Sequence, residues 1–182
     1  MKLYLLEISD KTFQSSRVSC PQKYCHASEK EYLENFREKP IEDIREKSKL
    51  YPSELALGDW KRILTEEQFK VTRLNCTEHR NVSPSHNNKE KGVYHCVGCG
   101  SPLFNSHAKY NSGSGWPSFY EPISTEAVKE LTDFDIGYAR TDIRCSRCGA
   151  HLGHMFHDGP PPTGLRYCIN GIAVDFVKNT VS

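Results

Sequence analysis

Two Cys-x-x-Cys pairs constrain the fold of this chain more than any other feature of its sequence. The pairs are Cys96–Cys99 and Cys145–Cys148, with 45 residues between them. Each pair places two thiols on one tight turn, and four cysteines are a usual ligand set of a structural tetrahedral zinc ion. Gly98, Gly100 and Gly149 suit such turns.

The alternatives to a zinc site are two redox motifs or four buried thiols, but a redox Cys-x-x-Cys normally occurs once, beside a βαβ pattern. A closed four-thiolate site leaves no position for a substrate, so the predicted zinc holds the fold.

The bulk composition limits the class of protein and its partners. The chain has 182 residues, of which 37% are hydrophobic, and a formal charge of +1, which fits one globular domain with an extension. So small a net charge argues against a nucleic-acid or membrane partner held by general electrostatics. The eight cysteines suit a reducing compartment better than a secreted disulfide scaffold.

The first residues do not predict a targeting segment. The opening apolar run ends at Glu7 and is too short for the hydrophobic region of a signal peptide. Glu7 and Asp10 also argue against a transit peptide, which is poor in acidic residues. No stretch is long and apolar enough to predict a transmembrane helix. We therefore expect a cytoplasmic protein.

We interpret residues 1–54 as an N-terminal extension, partly helical and of unknown function. Residues 28–39 are predicted to form a helix, because Ser28 and Glu31 form a capping box and Pro40 ends the apolar pattern. A second charged segment follows this helix.

The folded domain is predicted to occupy residues 55–182. A helix over about 65–73 follows from a second capping box, Thr65–Gln68, and Phe69 is predicted to face the core. A long polar loop is predicted over residues 75–91.

Beyond residue 91, short β-rich runs alternate with turns that contain glycine or proline. These runs predict strands at Gly92–Val97, Pro102–Phe104, Ser118–Ile123, Ala127–Leu131, Ile136–Cys145, His151–Phe156 and Tyr167–Val177. Many short strands of this kind are typical of antiparallel sheets. The sequence therefore predicts a mainly β domain.

Cys168 is a cysteine without a second cysteine near it in the sequence. It lies two residues after Arg166 and two before Asn170, so on one strand the three side chains share a face. A neighbouring guanidinium lowers the pKa of a thiol and raises its thiolate fraction. The local sequence leaves two interpretations open: a reactive thiolate, or a strand cysteine that packs as a small hydrophobic residue.

Two histidines favour the reactive interpretation. His151 and His154 follow the second cysteine pair, so a zinc ion would anchor them, and a single cysteine with histidines elsewhere is a known catalytic arrangement. Each could instead be a satisfied core group. Asp158 could orient a histidine or only cap a turn. Trp116, beside the glycines of Gly113–Gly115, could wall a small apolar pocket or anchor the core.

Several motifs together resemble those of the B-class methionine-R-sulfoxide reductases. The matching motifs are Leu64–Phe69, Lys89–Cys99, Gly113–Phe119, Cys145–Cys148, His151–Pro160 and Arg166–Asn170. The resemblance covers about two thirds of the chain, from about residue 60 to 177. It implies two antiparallel β-sheets with flanking helices and a structural four-cysteine zinc site, with one ion per chain.

The resemblance also implies roles for the candidate site residues. The metal ligands would be Cys96, Cys99, Cys145 and Cys148. Cys168 would be the nucleophile that attacks the sulfoxide sulfur. The walls of the pocket for the substrate's S-methyl group would be Trp116 and Phe156. The groups that contact the sulfoxide oxygen, directly or through water, would be His151, His154 and Asn170, with His154 as the proton donor. Asp158 and Arg166 would orient and polarise these groups.

The implied reaction is the reduction of methionine-R-sulfoxide, in proteins or peptides, to methionine, with Cys168 oxidised to a sulfenic acid. A histidine with its ordinary pKa of about 6.5 could supply the proton. Many members of the family carry a resolving cysteine in the region where this chain has Ser114. Cys76 is predicted to replace it, ahead of Cys20 or Cys25 and of direct reduction by a small thiol. Thioredoxin or a similar reductant would then reduce the resulting disulfide.

Two other classes of function account for part of the pattern. A non-catalytic zinc-binding interaction or chaperone module would explain the four paired cysteines, but it has no reason to combine Cys168 with Trp116 and two histidines. Nucleic-acid binding is disfavoured, because Arg144, Arg147 and Lys109 are too scattered for a basic patch. We expect no membrane partner and a monomer.

Overall fold

A computed structural model describes residues 17–19, 39–134, 137 and 139–179. The helices in these ranges are α1 (Ile41–Leu50), α2 (Leu57–Ile63) and α3 (Glu66–Leu74). The strands are β1 (Val18–Ser19), β2 (Thr77–Glu78), β3 (Gly92–Cys96), β4 (Pro102–Asn105), β5 (Lys109–Tyr110), β6 (Ser118–Phe119), β7 (Val128–Asp133), β8 (Arg140–Cys145), β9 (His151–Phe156), β10 (Arg166–Ile169) and β11 (Val174–Lys178). The mainly β class predicted from the sequence is confirmed. None of the helices within these ranges has the length and apolar character needed to span a membrane.

The strands form two main antiparallel sheets and one short ribbon. The larger sheet has the order β5-β6-β10-β9-β8-β7, and the smaller has the order β11-β3-β4. The two main sheets agree with the predicted fold. Strands β1 and β2 pair as a separate antiparallel ribbon, although β2 lies within residues 75–91, where a loop was predicted.

Helix α3 begins and ends where its sequence signals predict. The amide of Gln68 donates to Thr65 Oγ1 at 3.2 Å, and the amide of Thr65 donates to Gln68 Oε1 at 3.0 Å. This reciprocal capping satisfies amide groups that a helix start leaves without partners. The helix ends at Asn75, which has the left-handed φ of 55° that asparagine tolerates. Phe69 is buried, as predicted.

The N-terminal part of the chain is described only in part. Helix α1 follows Pro40, and its Ile44 is buried. The helix predicted over residues 28–39 lies outside the described residues except at its last position. Cys20 and Cys25 also lie outside them. The predicted domain boundary near residue 55 stays a prediction.

An aromatic cluster fills the space between the two main sheets. Phe104 on β4 stacks on Phe119 of β6 with a centroid distance of 4.5 Å, and Tyr94 of β3 meets Phe119 edge-on at 5.1 Å. Tyr167 of β10 lies 6.0 Å from Phe104. All four rings are buried. Each sheet contributes two of them, so the cluster fixes one sheet against the other.

The predicted single strand Tyr167–Val177 is wrong. The chain instead forms β10 in the larger sheet and β11 in the smaller one, with a 3-10 turn at Gly171–Ala173 between them. The amides of Gly171 and Ile172 donate to the buried carboxylate of Glu78, which holds this turn. The apolar alternation of the sequence continued through the turn, so periodicity did not reveal the change of sheet. Two other predicted strands, Ser118–Ile123 and Ile136–Cys145, are shorter than expected.

We expect Phe104→Ala to lower the free energy of unfolding by about 3–5 kcal/mol, because it removes a ring that contacts both sheets and leaves a cavity. Chemical denaturation monitored by circular dichroism would measure the change. Phe134→Ala is the matched control, since that ring is 67% exposed, and its effect should stay within about 0.5 kcal/mol. Equal effects of the two substitutions would contradict the assignment of the core.

Candidate active site and metal centre

Four cysteine sulfur atoms converge where the two main sheets meet. Cys96 ends β3 and Cys99 lies on the turn that follows it. In the same way, Cys145 ends β8 and Cys148 lies on the turn that follows it. The four sulfur atoms lie within 4.8 Å of one another, and two of the pairs, Cys96 with Cys148 and Cys99 with Cys145, are 3.6 Å apart. Sulfur atoms about 2.3 Å from a tetrahedral zinc ion would lie about 3.8 Å apart. The four thiols are free, so the cluster could hold one metal ion.

The two cysteine turns share one backbone pattern. The amide of Gly100 donates to the carbonyl of Cys96 at 2.8 Å, and the amide of Gly149 donates to the carbonyl of Cys145 at 2.9 Å. Gly100 has a φ of 72° and Gly149 a φ of 70°, in the left-handed region that glycine adopts without a steric penalty. These glycines therefore turn the chain back after each Cys-x-x-Cys pair, as the sequence predicted.

Helix α3 places a cation beside the cluster. Arg73 Nη1 donates to the carbonyl of Cys148 at 2.8 Å, and its Nη2 lies 3.5 Å from the sulfur of Cys148. The guanidinium stacks on the ring of Trp60 at 3.7 Å. A positive charge at this position favours the thiolate form that a metal requires. The sequence analysis did not identify Arg73, and its spacing from the cysteines carries no signal.

Cys168 lies at the centre of the larger sheet, on β10. Its pairing partners are Ser118 on β6 and His154 on β9. Residues directly opposite in an antiparallel pair have Cβ atoms about 4.5–5.5 Å apart on the same face. The register therefore places the Cβ atoms of Cys168 and His154 close together on one face of the sheet, although the residues are 14 positions apart in sequence. Cys168 is partly exposed as a residue.

Burial decides the net direction of the Cys168 pKa. It raises the pKa of the thiol above its ordinary value, while the hydroxyl of Ser114 and the guanidinium of Arg166 act in the opposite direction. Ser114 Oγ lies 3.9 Å from the sulfur. The lowering effect of Arg166 expected from the sequence is present, but burial outweighs it. Arg166 is also held by Asp158, with bonds of 2.8 and 2.9 Å to its carboxylate.

A bulge in β9 brings the two histidines together. Gly153 pairs with Ile143 of β8, whereas His151 pairs with the next residue, Arg144, which leaves one extra residue on β9. Such a bulge switches the alternation of faces, so residues three apart can share one side. The rings of His151 and His154 lie 5.4 Å apart. Gly153 also lets β9 approach β10, because a Cβ there would lie 2.1 Å from the carbonyl oxygen of Cys168.

His151 is buried and held by a carboxylate. Its Nδ1 lies 2.6 Å from Asp142 Oδ1, and Arg144 donates to the other carboxylate oxygen of Asp142 at 2.7 Å. Burial acts to raise the pKa of Asp142, but the contacts with His151 and Arg144 outweigh it and the net direction is downward. The ionised carboxylate orients the ring with Nδ1–H as donor. The buried Nε2 of His151 has no hydrogen-bond partner among the described residues.

His154 contacts a second carboxylate. Its Nε2 lies 3.0 Å from Asp133 Oδ2, and Arg140 Nη2 binds the same oxygen at 2.5 Å. Burial lowers the pKa of His154 below its ordinary value and outweighs the opposite effect of the Asp133 hydrogen bond. The imidazole is therefore neutral at pH 7, in contrast to the ordinary pKa used in the sequence analysis. With Nε2–H directed at Asp133, Nδ1 is the ring atom that can accept a proton.

The two aromatic candidates are held by different contacts. Trp116 is partly buried, and its Nε1 donates to the backbone carbonyl of Glu78 at 3.1 Å. Phe156 pairs with Arg166 across β9 and β10, and the guanidinium lies 4.3 Å from the centre of its ring. Both rings are thus partly accessible, and Phe156 is two residues beyond His154 on the same strand.

Asn170 is not on the strand that carries Cys168. Strand β10 ends at Ile169, and Asn170 begins the following 3-10 turn with its side chain buried. Its Oδ1 accepts from the amide of Glu78 at 2.9 Å, and its Nδ2 donates to the carbonyl of Leu152 at 3.0 Å. The i+2 argument for a shared strand face is therefore wrong for this residue.

Cys76 is buried and disulfide-bonded, whereas the other described cysteines are free thiols. It lies between the end of α3 and the start of β2. A cysteine in a disulfide cannot capture a sulfenic acid, so the predicted resolving role requires prior reduction of that bond.

Sequence reasoning missed the buried carboxylates that support the site. Asp133, Asp142 and Glu78 each contact a candidate residue or its neighbour, but they lie 15 or more residues from Cys168. The available signal for Asp142 was its position within a predicted strand, on a face that it shares with Arg140 and Arg144. No comparable signal marked Glu78, because it lay in a stretch with loop composition.

The chain is similar to known proteins over its β-rich part. The model of the SelR domain matches residues 64–178. Among curated relatives, the peptide methionine sulfoxide reductase MsrB of Pseudomonas aeruginosa is 54% identical over 121 residues, which are 66% of this chain and 92% of that protein. The MsrB of Pseudomonas fluorescens is 52% identical over 124 residues, 68% of this chain and 95% of that protein. The MsrB of a Synechococcus strain is 46% identical over 129 residues, 71% of this chain and 95% of that protein.

Among solved structures, the crystal structure of the Mis18 'Yippee-like' domain matches 50% of this chain and all of that one, at 14% identity and a TM-score of 0.39. A similarity at this level carries no argument. The sequence matches, together with the four-cysteine cluster and the Cys168–His154 pairing, define an oxidoreductase of the methionine sulfoxide reductase class. The chain belongs to the MsrB family of peptide methionine sulfoxide reductases.

We expect one metal ion per chain, lost on Cys148→Ser because one of four ligands is removed. Metal analysis of the purified protein, with circular dichroism as a check on folding, would measure both values. Cys168→Ser is the matched control and should retain the ion, since that thiol lies outside the cluster. A folded wild-type protein without metal, or full metal content in the Cys148 variant, would contradict the assignment.

Proposed function

We propose that this chain reduces the R epimer of methionine sulfoxide, in peptides or proteins, through a sulfenic acid on Cys168. The family supplies the reaction class, and the observation that carries the mechanism is the pairing of Cys168 with His154 across β10 and β9. A thiol beside a partly buried, neutral imidazole has a group that can take its proton.

The substrate and one thiol account for all the atoms and electrons of the proposed reaction. The Cys168 sulfur attacks the sulfoxide sulfur, the S–O bond of the substrate breaks, and the oxygen ends on Cys168. The substrate sulfur is reduced by two electrons to the thioether, and Cys168 is oxidised by two electrons to the sulfenic acid. No other oxidant or reductant takes part in this step.

The proton moves through His154. The raised pKa of Cys168 and the lowered pKa of His154 describe a neutral thiol beside a neutral ring. His154 Nδ1 accepts the thiol proton during attack and returns it to the departing oxygen, which combines general base and general acid action in one group. Asp133 holds the tautomer and stabilises the charged ring while it carries the proton.

The remaining site residues bind and polarise the substrate. Trp116 and Phe156 wall the pocket for the S-methyl group, and their partly buried rings suit a small apolar substituent. The unpartnered Nε2 of His151 accepts a hydrogen bond from a water molecule or from the protonated oxygen. Asn170 orients this network. Arg166, held by Asp158, favours the developing thiolate.

The four-cysteine cluster holds a structural zinc ion. Its sulfur spacing and the neighbouring Arg73 fit a closed tetrahedral site. A zinc ion held by Cys96, Cys99, Cys145 and Cys148 would cross-link the two sheets, and its four thiolate ligands would leave no position for a substrate.

Recycling requires a second thiol and an external reductant. We assign the resolving step to Cys76 in its reduced form, followed by thiol exchange with thioredoxin or a similar protein. Bridging to Cys168 requires the Cα atoms of the two cysteines to lie within about 7 Å of each other. The need for reduced thiols places the protein in a reducing compartment such as the cytoplasm, where it acts as a monomer.

We expect wild-type protein with a dithiol to reduce free or peptide methionine-R-sulfoxide and to leave the S epimer unchanged, because one pocket accepts one arrangement of methyl group and oxygen. Cys168→Ser should lose turnover by at least about 10³-fold, since serine is a far weaker nucleophile at sulfur. Chromatography of the methionine formed from each epimer would measure this. Retained activity in Cys168→Ser, at full metal content, would remove Cys168 from the mechanism.

We expect Cys76→Ser to form one equivalent of methionine per chain at the wild-type rate but to lose thioredoxin-supported cycling, because no disulfide with Cys168 can form. Rapid-quench measurement of the first turnover and a coupled thioredoxin assay would separate the two steps. Full cycling with thioredoxin in this variant would exclude Cys76 as the resolving residue.

A further inference from the structure

We propose that Glu78 is a positioning residue for the reaction, and that it holds Asn170 and Trp116 in place from one buried point. The proposal rests on the proposed function and adds to it a residue outside the predicted site. Glu78 lies on the short strand β2, and its side chain is almost fully buried, with 2% of the residue exposed.

The carboxylate of Glu78 is bound by two backbone amides. Gly171 donates to Oε1 and Ile172 donates to Oε2, both at 2.8 Å. These amides belong to the start of the 3-10 turn that follows Asn170. Hydrogen bonds of this kind, from backbone amides to a charged acceptor, are among the strong ones in proteins. The carboxylate therefore determines where the chain turns away from β10.

The backbone of the same residue contacts two candidate site side chains. The amide of Glu78 donates to Asn170 Oδ1 at 2.9 Å, and its carbonyl accepts from Trp116 Nε1 at 3.1 Å. Asn170 Nδ2 donates onward to Leu152, which lies on β9 between the two histidines. The two ends of the Asn170 amide are thus held, and the orientation of the Trp116 ring is set by one hydrogen bond.

The two side chains that Glu78 contacts, Trp116 and Asn170, are both close to Cys168, one through its loop and one in the sequence. Trp116 shares its loop with Ser114, whose Oγ accepts from the Trp116 amide at 3.3 Å and lies 3.9 Å from the Cys168 sulfur. Asn170 is two residues after Cys168 in the chain. A shift of β2 would therefore move the proposed pocket wall and the proposed oxygen-binding network together.

The charge and shape of the carboxylate are both needed. Glutamine has one acceptor oxygen, and its NH₂ group would face the amide of Gly171 or of Ile172, donor against donor. The buried amide would lose its partner, which disfavours the native position of the turn. Burial raises the pKa of Glu78 above its ordinary value, and the hydrogen bonds from the Gly171 and Ile172 amides act in the opposite direction.

The test uses Glu78→Gln in the full-length protein, with a readout that simple loss of stability does not move. A residue that only stabilises the fold would lower the fraction of active protein, and hence kcat, without changing KM. Positioning of Asn170 and Trp116 predicts a lower kcat and a higher KM for methionine-R-sulfoxide, with kcat/KM reduced about 10- to 100-fold. Metal content and circular dichroism should match the wild type.

Tryptophan emission gives a second readout that does not depend on activity. The chain has two tryptophans, and Trp60 lies under Arg73 at the metal cluster, so a Trp60→Phe background isolates the signal of Trp116. In that background, Glu78→Gln should change the wavelength or intensity of emission, because a shift of β2 would move the backbone carbonyl of Glu78 that accepts from Trp116 Nε1. Glu54→Gln is the matched control, since Glu54 is exposed, and it should change neither the kinetics nor the emission.

Three outcomes would overturn the proposal. One is unchanged kcat, KM and emission in Glu78→Gln. Another is additive effects of Glu78→Gln and Asn170→Ala in a double-mutant cycle, since residues in one network are expected to couple. The third is loss of fold in both Glu78→Gln and Glu78→Asp, which would assign Glu78 to stability alone. Glu78→Asp keeps the charge and should restore part of kcat/KM.

Failure of the proposed function has a different signature. If the wild-type protein does not reduce methionine-R-sulfoxide, the reaction assigned above is wrong, while the emission of Trp116 still tests the contact with Glu78. If the wild type is active and the Glu78 variants match it in every readout, only the positioning role is wrong.

Discussion

The convergence of four cysteine sulfur atoms is the constraint on which the rest of the site depends. Cys96 and Cys99 belong to the smaller sheet, and Cys145 and Cys148 to the larger one, so a metal ion bound between them joins the two. The turn that carries Cys148 leads through Gly149 directly into β9, so the position of this turn sets the start of the strand that carries both histidines. The aromatic cluster between the sheets also holds the two sheets together.

The register of β10 converts this scaffold into a reactive arrangement. Pairing with β9 sets Cys168 opposite His154, and one extra residue in β9 turns His151 to the side of His154. Two carboxylates then orient the two rings, Asp142 for His151 and Asp133 for His154. Because burial raises the thiol pKa and lowers the imidazole pKa, the proposed reaction would start from neutral partners, and proton transfer would accompany attack.

The features that the sequence predicted are those carried by contiguous motifs. The Cys-x-x-Cys pairs, the capping box of α3 and most of the β-rich runs depend on residues a few positions apart, and they appear where expected. The split of the last strand was not predictable, because the residue that holds the turn, Glu78, is 93 residues away from Gly171. The raised pKa of Cys168 was not predictable for a related reason: Arg166 is visible in the local sequence, whereas burial follows from the assembled sheet.

The central claim is that the oxygen of the substrate passes to Cys168 beside His154. The most direct test is a single turnover with methionine-R-sulfoxide and no added reductant, stopped with a reagent that traps sulfenic acids and followed by mass spectrometry of the peptides. We predict one equivalent of methionine and one trapped group, located on Cys168, in a Cys76→Ser background where the sulfenic acid cannot pass to that thiol. Methionine formed with the trapped group on another cysteine, or with none trapped at all, would contradict the account.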